Sequence, residues 1–263
     1  MKAITRVPIF SYNTIATTLL IPTKSLEIKF RKNYLTAETL FELESILAWS
    51  ATHSEVQSLF ITSYGEEFIQ GFDPKELREL SEDKLKKQFQ KVSTIAQSLL
   101  CLPQTVVVDM KKGTRGVGLE LALAADIRIA KNEAVFCFDH LSQGLTPVCG
   151  LFSFLRSYLN QNVLRSLLLS GMEFKKESFL ALGGWCEFEA DVNTILTSIF
   201  AQAPIARMQA KRGLFGSHDA VNEHELETEK KLFNAVVHSK DYTREGNFMS
   251  PAEFKEKVSE IQN

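Results

Sequence analysis

A glycine-containing turn between two apolar segments constrains this chain more than any other stretch of its sequence. Leu102–Met110 (LPQTVVVDM) is rich in β-branched residues and predicts a buried strand, whereas Leu119–Ala125 consists of strong helix formers and predicts a buried helix. Between them Gly113, Gly116 and Gly118 allow the backbone to turn sharply. The helix start then presents unpaired N–H groups where the helix dipole favours negative charge. This turn therefore predicts a site for a phosphate or a developing oxyanion.

Glu120 is a carboxylate at the beginning of this otherwise apolar helix. It could be an acid of the first turn that merely complements the helix dipole. It could instead be a partly buried general acid/base beside the oxyanion site. The spacing alone leaves both interpretations open.

Composition indicates an ordinary globular protein. Of the 263 residues, 44% are hydrophobic and 24% are charged, and the net charge of −2 gives no electrostatic basis for binding nucleic acid. The four cysteines lack CxxC spacing, which favours reduced, buried thiols. No apolar run approaches the ~18 residues of a membrane span and no secretory segment is evident, so we expect a cytoplasmic protein without a membrane partner. We also expect no metal site.

Periodicity along the chain predicts an α/β core followed by helices. The predicted strands are Ser25–Phe30, Val56–Thr62, Leu102–Met110, Ile127–Ala130 and Ala134–Phe138. The predicted helices are Thr36–Ser50, one or two within Lys75–Leu100, Leu151–Leu169, Lys175–Leu182, and several from Asp191 onward. No low-complexity linker separates the two regions, so we place a core at 1–190 and a helical C-terminal region at 191–263.

Six segments match a known family in order and at compatible spacing. They are RKNYL at 31–35, EFIQGFD at 67–73, RGVGLELALAADIRIA at 115–130, GLTP at 144–147, LLLSGMEFKKESFLALGGW at 167–185 and PIARMQAKRGL at 204–214. Together they resemble the crotonase (enoyl-CoA hydratase/isomerase) superfamily over nearly the whole chain, and ELALAADIRIA is the most specific of them.

The resemblance implies an α/β crotonase-like spiral of ββα units with a C-terminal helical trimerisation region. It also implies a homotrimer or a dimer of trimers, and an acyl-CoA thioester as substrate, with coenzyme A entering only as part of that substrate. Two backbone N–H groups would bind the thioester oxygen, and they map to Phe72 and Val117. The implied activity is that of a lyase or isomerase whose acid/base is Glu120.

The sequence departs from the family pattern at two places. Val117 stands where the family usually has glycine, which adds bulk beside the thioester. The second glutamate of the hydratases falls at His140, with Asp139 just before it. Either side chain could transfer a proton, or His140 could simply form a hydrogen bond within a loop. Isomerisation, decarboxylation and thioester hydrolysis therefore remain open, as does a catalytically lapsed acyl-CoA binder or scaffold.

Contacts to CoA are expected at positions where the family approaches the nucleotide or the thioester. These are Lys29, Arg31, Lys32, Gly71, Gly116 and Lys211. Each of the cations could equally be a solvated surface residue. Arg115, beside the glycines, could meet a phosphate or a carboxylate, or remain solvated. We expect parts of 75–100 and 145–160 to line the acyl pocket.

Overall fold

The computed structural model describes residues 6–153, 155–216, 223–244, 246, 248–251 and 253. The strands are β1 Arg6–Ser11, β2 Ile15–Leu20, β3 Ser25–Phe30, β4 Ser58–Ser63, β5 Thr105–Asp109, β6 Gly113–Arg115, β7 Ile127–Ala130, β8 Val135–Cys137 and β9 Glu187–Phe188. The helices are α1 Ala37–Thr52, α2 Pro74–Glu79, α3 Glu82–Cys101, α4 Gly116–Leu123, α5 Gln161–Ser170, α6 Lys176–Leu182, α7 Val192–Ala201, α8 Pro204–Gly216 and α9 Glu223–Ser239.

One sheet carries most of these strands, in the order β1-β2-β3-β4-β5-β7-β9. The pairs β1–β2 and β2–β3 are antiparallel, whereas the pairs from β3 to β9 are parallel and require crossover connections. A second, two-stranded parallel sheet pairs β6 with β8. The crossover from β5 to β7 contains β6 and α4, so the glycine turn lies directly beyond the end of a central strand.

Buried apolar side chains of α1 and α3 cover the sheet. Helix α1 begins at the predicted position because the Thr36 side chain accepts a hydrogen bond from the Thr39 N–H at 3.2 Å. Its apolar residues at helical spacing are buried, as are those of α3: Leu40, Leu43, Ile46, Leu47, Leu85, Phe89, Val92, Ile95 and Leu99. The apolar spacing thus predicted α1 and the face that it buries, and the pattern within 75–100 predicted helices there.

The prediction of one long helix over Leu151–Leu169 is wrong in its first half. Residues 151–153 form turns, and α5 begins only after Asn160, whose side chain accepts hydrogen bonds from the Asn162 and Val163 N–H groups. The turns are held by a distant residue, because Glu229 accepts hydrogen bonds from the Gly150 N–H and the Ser153 hydroxyl, both at 2.8 Å. Local periodicity cannot register such a contact.

Four strands that the sequence analysis did not predict extend the sheets. They are β1, β2, β6 and β9. Strand β2 forms six residue pairs with β3 and covers its open edge, from Ile15 opposite Phe30 to Leu20 opposite Ser25. Strand β9 has only two residues, and β6 has three, which is too short for a period-2 pattern to appear.

The C-terminal helices pack against the core rather than standing apart. Phe233 and Val237 of α9 belong to the main hydrophobic cluster, whereas Leu196 and Ile199 of α7 join a smaller cluster with β4, β5 and β7 residues. Lys211 of α8 is buried and bonds within the protein. The division into 1–190 and 191–263 stays a prediction.

No helix within the described ranges combines the length and apolar character needed to cross a membrane. Cys137, Cys149 and Cys186 are buried free thiols, as expected, but Cys101 is exposed. Its exposure follows from its place at the last position of α3.

Candidate functional site

Helix α4 starts at the glycine turn. Gly116 has a φ of +49°, a left-handed conformation that favours glycine. The preceding Arg115 occupies the N-cap position but its side chain forms no capping hydrogen bond among the described residues. The first-turn N–H groups, including that of Val117, have no acceptor within the helix. Val117 itself is 2% exposed, so its amide faces a sheltered environment rather than bulk water.

The segment that contains Phe72, the other predicted backbone N–H donor, lies beside this turn. The Ile69 carbonyl accepts hydrogen bonds from the Arg115 N–H at 3.2 Å and from the Thr114 hydroxyl at 2.6 Å. On its other side the segment pairs with Leu35. The Leu35 N–H donates a hydrogen bond to the Gly71 carbonyl, and the Leu35 carbonyl accepts one from the Asp73 N–H. These two bonds flank Phe72 and leave its own N–H directed away from Leu35. The structure therefore brings the two glycine-containing bends side by side.

The contact between the bends depends on Gly118. A Cβ atom at this position would lie 2.2 Å from the Ile69 carbonyl oxygen and 2.7 Å from the Ile69 carbonyl carbon. Both are backbone atoms, which cannot rotate away as a side chain could. The absence of a side chain at position 118 thus sets the distance between helix α4 and the Phe72 segment.

We expect Gly118→Ala to destabilise the protein by roughly 1–3 kcal/mol, because the two backbone segments must separate. Gly213 of α8 is the matched helical control, since a Cβ atom there would meet open space, with no described neighbour within 4 Å. Gly213→Ala should instead stabilise by up to about 1 kcal/mol through helix propensity. Urea unfolding of both variants measures the difference. Equal stabilisation of the two would contradict the close approach.

Glu120 is completely buried and has several hydrogen-bond donors around it. Its Oε1 lies 2.7 Å from Nε2 of His140, itself only 2% exposed. Its Oε2 accepts from the Cys149 N–H at 3.0 Å and from the Val148 N–H at 3.2 Å. The two sequence-predicted residues therefore do meet, in a buried acid–imidazole pair. The Nδ1 atom of His140 has no hydrogen-bond partner among the described residues, although it is buried.

Asp139 lies against the glycine turn. A Cβ atom on Gly116 would be 2.7 Å from Asp139 Oδ1, so this carboxylate oxygen occupies the face where a side chain would project. Asp139 Oδ2 accepts from Gln143 at 2.8 Å, whereas the buried Oδ1 has no partner among the described residues. Burial raises the pKa of Asp139, against the opposing effects of nearby His140 and of the Gln143 hydrogen bond. All three predicted acid/base residues thus surround one turn.

Arg115 does not reach this centre. Its guanidinium pairs with Glu173, so it is a salt-bridged surface side chain rather than a free anion ligand. The nearby Cys137 thiol donates a hydrogen bond to the Gly171 carbonyl at 3.3 Å, and burial raises its pKa. This is the packed thiol that the sequence indicated, and a poor nucleophile.

The predicted CoA contacts fall into two groups. Lys29 lies over the ring of the exposed Tyr64 at 4.3 Å, with Arg31 at 6.0 Å from the same ring. Lys32 is exposed, while Gly71 and Gly116 are buried at the two bends. Lys211 is different, because its ammonium donates to the Leu99 and Gln104 carbonyls and to Asp126. Its donors are used internally, which argues against a contact with CoA.

The sequence analysis missed Glu229, on α9. It is 4% exposed, and burial together with the charge of Glu120 raises its pKa to about 7. A signal for its burial existed: Glu229, Phe233 and Val237 recur at a spacing of four and so share one face of the helix. The apolar character of the later two positions indicated that the glutamate also points inward.

A groove of about 720 Å³ runs between α3 and α9. Its walls include Phe89, Ser93, Val148, Glu229 and Phe233. The expected acyl-pocket segments, 75–100 and 145–160, each contribute to this lining, and α9 adds a third side that was not expected. Within the described residues, no group of three His, Cys, Asp or Glu side chains is arranged to hold a metal ion.

Comparisons with known proteins agree with this architecture. The protein YngF of Bacillus subtilis (strain 168), itself assigned provisionally as an enoyl-CoA hydratase/isomerase, is 28% identical over 221 residues, which cover 81% of this chain and 85% of YngF. The short-chain-enoyl-CoA hydratase of Clostridium acetobutylicum is 24% identical over 216 residues, or 80% of this chain and 83% of that protein.

Solved structures show the same fold. The crystal structure of an enoyl-CoA hydratase from Bacillus halodurans superimposes with a TM-score of 0.78 at 21% identity, covering 89% of this chain and 98% of that one. The expected α/β crotonase-like fold is thereby confirmed. The family model described as enoyl-CoA hydratase/isomerase matches residues 25–261, nearly the whole chain. This protein is therefore a member of the enoyl-CoA hydratase/isomerase family of enzymes, within the crotonase superfamily.

Proposed function

We propose that this protein is an acyl-CoA-dependent lyase or isomerase that stabilises a thioester enolate with the backbone N–H groups of Phe72 and Val117. The observation that carries the proposal is the meeting of two bends, one of which begins a helix, beside the buried Glu120–His140 pair. When a proton leaves the carbon next to a thioester, negative charge develops on the carbonyl oxygen. Fixed amide donors stabilise that charge without reorganising, and each typically contributes ~3 kcal/mol.

Three side chains at the turn are the proposed acid/base groups. Glu120 is the main one, and His140 is the second, with its Nε2 atom 2.7 Å from the Glu120 carboxylate. Asp139 is the third, since its Oδ1 is unpartnered among the described residues and lies against Gly116. A carboxyl group whose pKa is raised by burial can hold or release a proton closer to neutral pH.

For the CoA moiety we propose contacts from Lys29, Arg31 and Lys32, with Gly71 and Gly116 allowing close approach at the bends. Lys29 and Arg31 already share the Tyr64 ring, which places two cations side by side at the surface. Phosphate groups favour such paired cations. Lys211 is left out of the proposed set because its ammonium is fully engaged inside the protein.

We further propose a homotrimer or dimer of trimers in the cytoplasm, with the region 191–263 contributing to its contacts. Large exposed apolar side chains of α8 support contacts from this region, because they would otherwise face water: Ile205 and Leu214 are both 70% exposed. Leu169, at 72% exposure, and Trp185, at 68%, add apolar surface outside it. Exposed apolar patches commonly mark protein–protein contacts.

A lapsed acyl-CoA binder is the second candidate, and one observation favours it. Glu120 is wholly enclosed, and the Val148 and Cys149 N–H groups already use its oxygens. An acid/base that meets substrate must exchange at least one of these partners. Thioester hydrolysis is a third outcome that the same pocket would permit.

The wild-type protein distinguishes these functions directly. We expect it to hydrate crotonyl-CoA or to isomerise a 3-enoyl-CoA, both followed by absorbance of the conjugated thioester. Release of free CoA from a β-hydroxyacyl-CoA, detected with a thiol reagent, would indicate a hydrolase instead. Calorimetric binding of acyl-CoA without any turnover would overturn the proposal in favour of the lapsed binder, and no binding would favour a scaffold.

A further inference from the structure

Glu229 shares a backbone segment with Glu120. Three consecutive N–H groups point at the two carboxylates: Val148 and Cys149 donate to Glu120, and Gly150 donates to Glu229 at 2.8 Å. Ser153 supplies the second hydrogen bond to Glu229, through its hydroxyl at 2.8 Å. Helix α9 therefore brings a second buried carboxylate next to the one that belongs to the glycine turn.

The groove between α3 and α9 has Glu229 on its wall and is bordered by aromatic rings that pack toward Phe72. Its walls include the rings of Phe89 and Phe233, which stack at a centroid distance of 3.9 Å. Phe89 in turn contacts the Phe72 ring at 4.8 Å. A chain bound in this groove would lie against Phe89 and Phe233, with Glu229 and Val148 on the same wall and the Phe72 ring packed directly behind Phe89.

Electrostatics suit Glu229 to carrying a proton. Burial is the larger cause of its raised pKa, and the charge of nearby Glu120 is the second, so the value reaches about 7. At this raised pKa the Glu229 carboxyl group binds a proton more tightly than an ordinary glutamate does. The other titratable side chains that line the groove are Lys86 of α3 and Glu227 and Lys230 of α9, whereas Cys149, Glu120 and His140 are buried in the protein interior. The two lysines and Glu227 line the open groove, where solvent screens their charges.

We infer that Glu229 is the second proton-transferring group of this site and serves as the general acid that protonates the enolate carbon. The inference rests on the proposed function. In this step the O–H bond of Glu229 breaks and its proton forms a C–H bond with the carbon beside the thioester. The electron pair on the oxyanion returns to restore the C=O bond, and Glu229 becomes a carboxylate. It regains a proton from water through the open groove.

If Glu229 served only to hold the turns at 150–153, replacing it by glutamine would leave the rate of turnover unchanged. Glutamine has the same shape, and its carbonyl oxygen can accept from the Gly150 N–H while the Ser153 hydroxyl turns to accept from its amide. Glu229→Gln would therefore preserve the turns at 150–153 but could not release a proton. This makes it a sharp test of the two roles.

The experiment compares wild type, Glu229→Gln, Glu229→Asp and Glu225→Gln on whichever of crotonyl-CoA or a 3-enoyl-CoA the wild type converts. We expect Glu229→Gln to lower kcat by about 10²-fold or more while the calorimetric affinity for the acyl-CoA changes less than about threefold. Glu229→Asp, which keeps a carboxyl group, should recover part of kcat. Glu225, one helical turn earlier on α9, provides the same charge change outside the groove lining and should leave kcat unchanged.

The pH profile separates catalysis from structure. As an acid, Glu229 must be protonated, so wild-type kcat/KM should fall as the pH rises through about 7, and this limb should be missing in Glu229→Gln. Turnover by the wild type with an unchanged rate and limb in Glu229→Gln would overturn the inference alone. A wild type that converts no acyl-CoA would overturn the proposed function, and the role of Glu229 with it.

Discussion

Glu120→Gln is expected to lower kcat by roughly 10²–10⁴-fold on the substrate that the wild type converts, because the variant cannot take up or release a proton at the turn. Binding of the acyl-CoA should persist, since the proposed N–H donors of Phe72 and Val117 belong to the backbone. The measurement is a steady-state assay combined with calorimetry. A variant with the wild-type rate would exclude Glu120 as the acid/base.

Glu42 provides a matched control for the loss of a buried carboxylate. It is 3% exposed and accepts hydrogen bonds from the Asn13 N–H at 2.8 Å and the Ile15 N–H at 3.0 Å, but it lies on α1, apart from the glycine turn. In either glutamate, a change to glutamine turns an NH₂ group toward backbone donors and should cost about 1–3 kcal/mol of stability. Only Glu120→Gln should also lower kcat by roughly 10²–10⁴-fold, so equal losses of kcat in the two variants would indicate a shared folding defect.

Lys211→Met is expected to destabilise the protein by about 3–5 kcal/mol, the largest effect on folding that we predict. The ammonium lies 2.6 Å from Asp126 Oδ2, 3.0 Å from the Leu99 carbonyl and 2.9 Å from the Gln104 carbonyl. Its removal leaves a buried carboxylate and two carbonyl groups without their donor. Urea unfolding measures the loss. Arg212, the exposed neighbour, is the control, and Arg212→Met should change stability by less than about 0.5 kcal/mol.

The loss at Lys211 should depend on pH in a defined direction. Burial already raises the pKa of Asp126, although Lys211 opposes the shift, so deleting the lysine must raise that pKa further. A carboxyl group whose pKa is higher in the folded than in the unfolded state destabilises the folded protein progressively as the pH rises above the unfolded-state pKa. The deficit of Lys211→Met should therefore be greatest near neutral pH and shrink in acid. Adding Asp126→Asn should recover part of it, and a pH-independent deficit would contradict this account.

Local sequence was sufficient for the elements with strong periodicity or caps. Helix α1 is capped by Thr36, as its sequence predicted, and strand β3 has the predicted bounds, because a hydroxyl cap and a period-2 pattern act within a few residues. The glycine turn was predictable for the same reason, whereas the spacing alone left the burial of Glu120 open, and the structure shows it to be complete. The family motifs add the expectation that the Phe72 segment adjoins this turn.

Other features depended on contacts between distant segments. The turns at 150–153 exist where apolar periodicity predicted helix, because Glu229 binds their backbone and Ser153. Lys211, a cation on a C-terminal helix, could have been a surface ligand, yet it is buried against Asp126. In both cases the outcome is set by where a later helix docks.

Short-range information in the chain therefore specified the glycine turn, the place of an acid on the apolar helix that follows it, and most strands and helices of the core. Long-range packing was needed to select the second acid that stands beside Glu120, since Glu229 arrives on α9 and reaches it across the segment 148–150. This division arises because capping, turn formation and periodic burial act between near neighbours. The distance between two carboxylates on separate helices depends instead on how the whole chain packs.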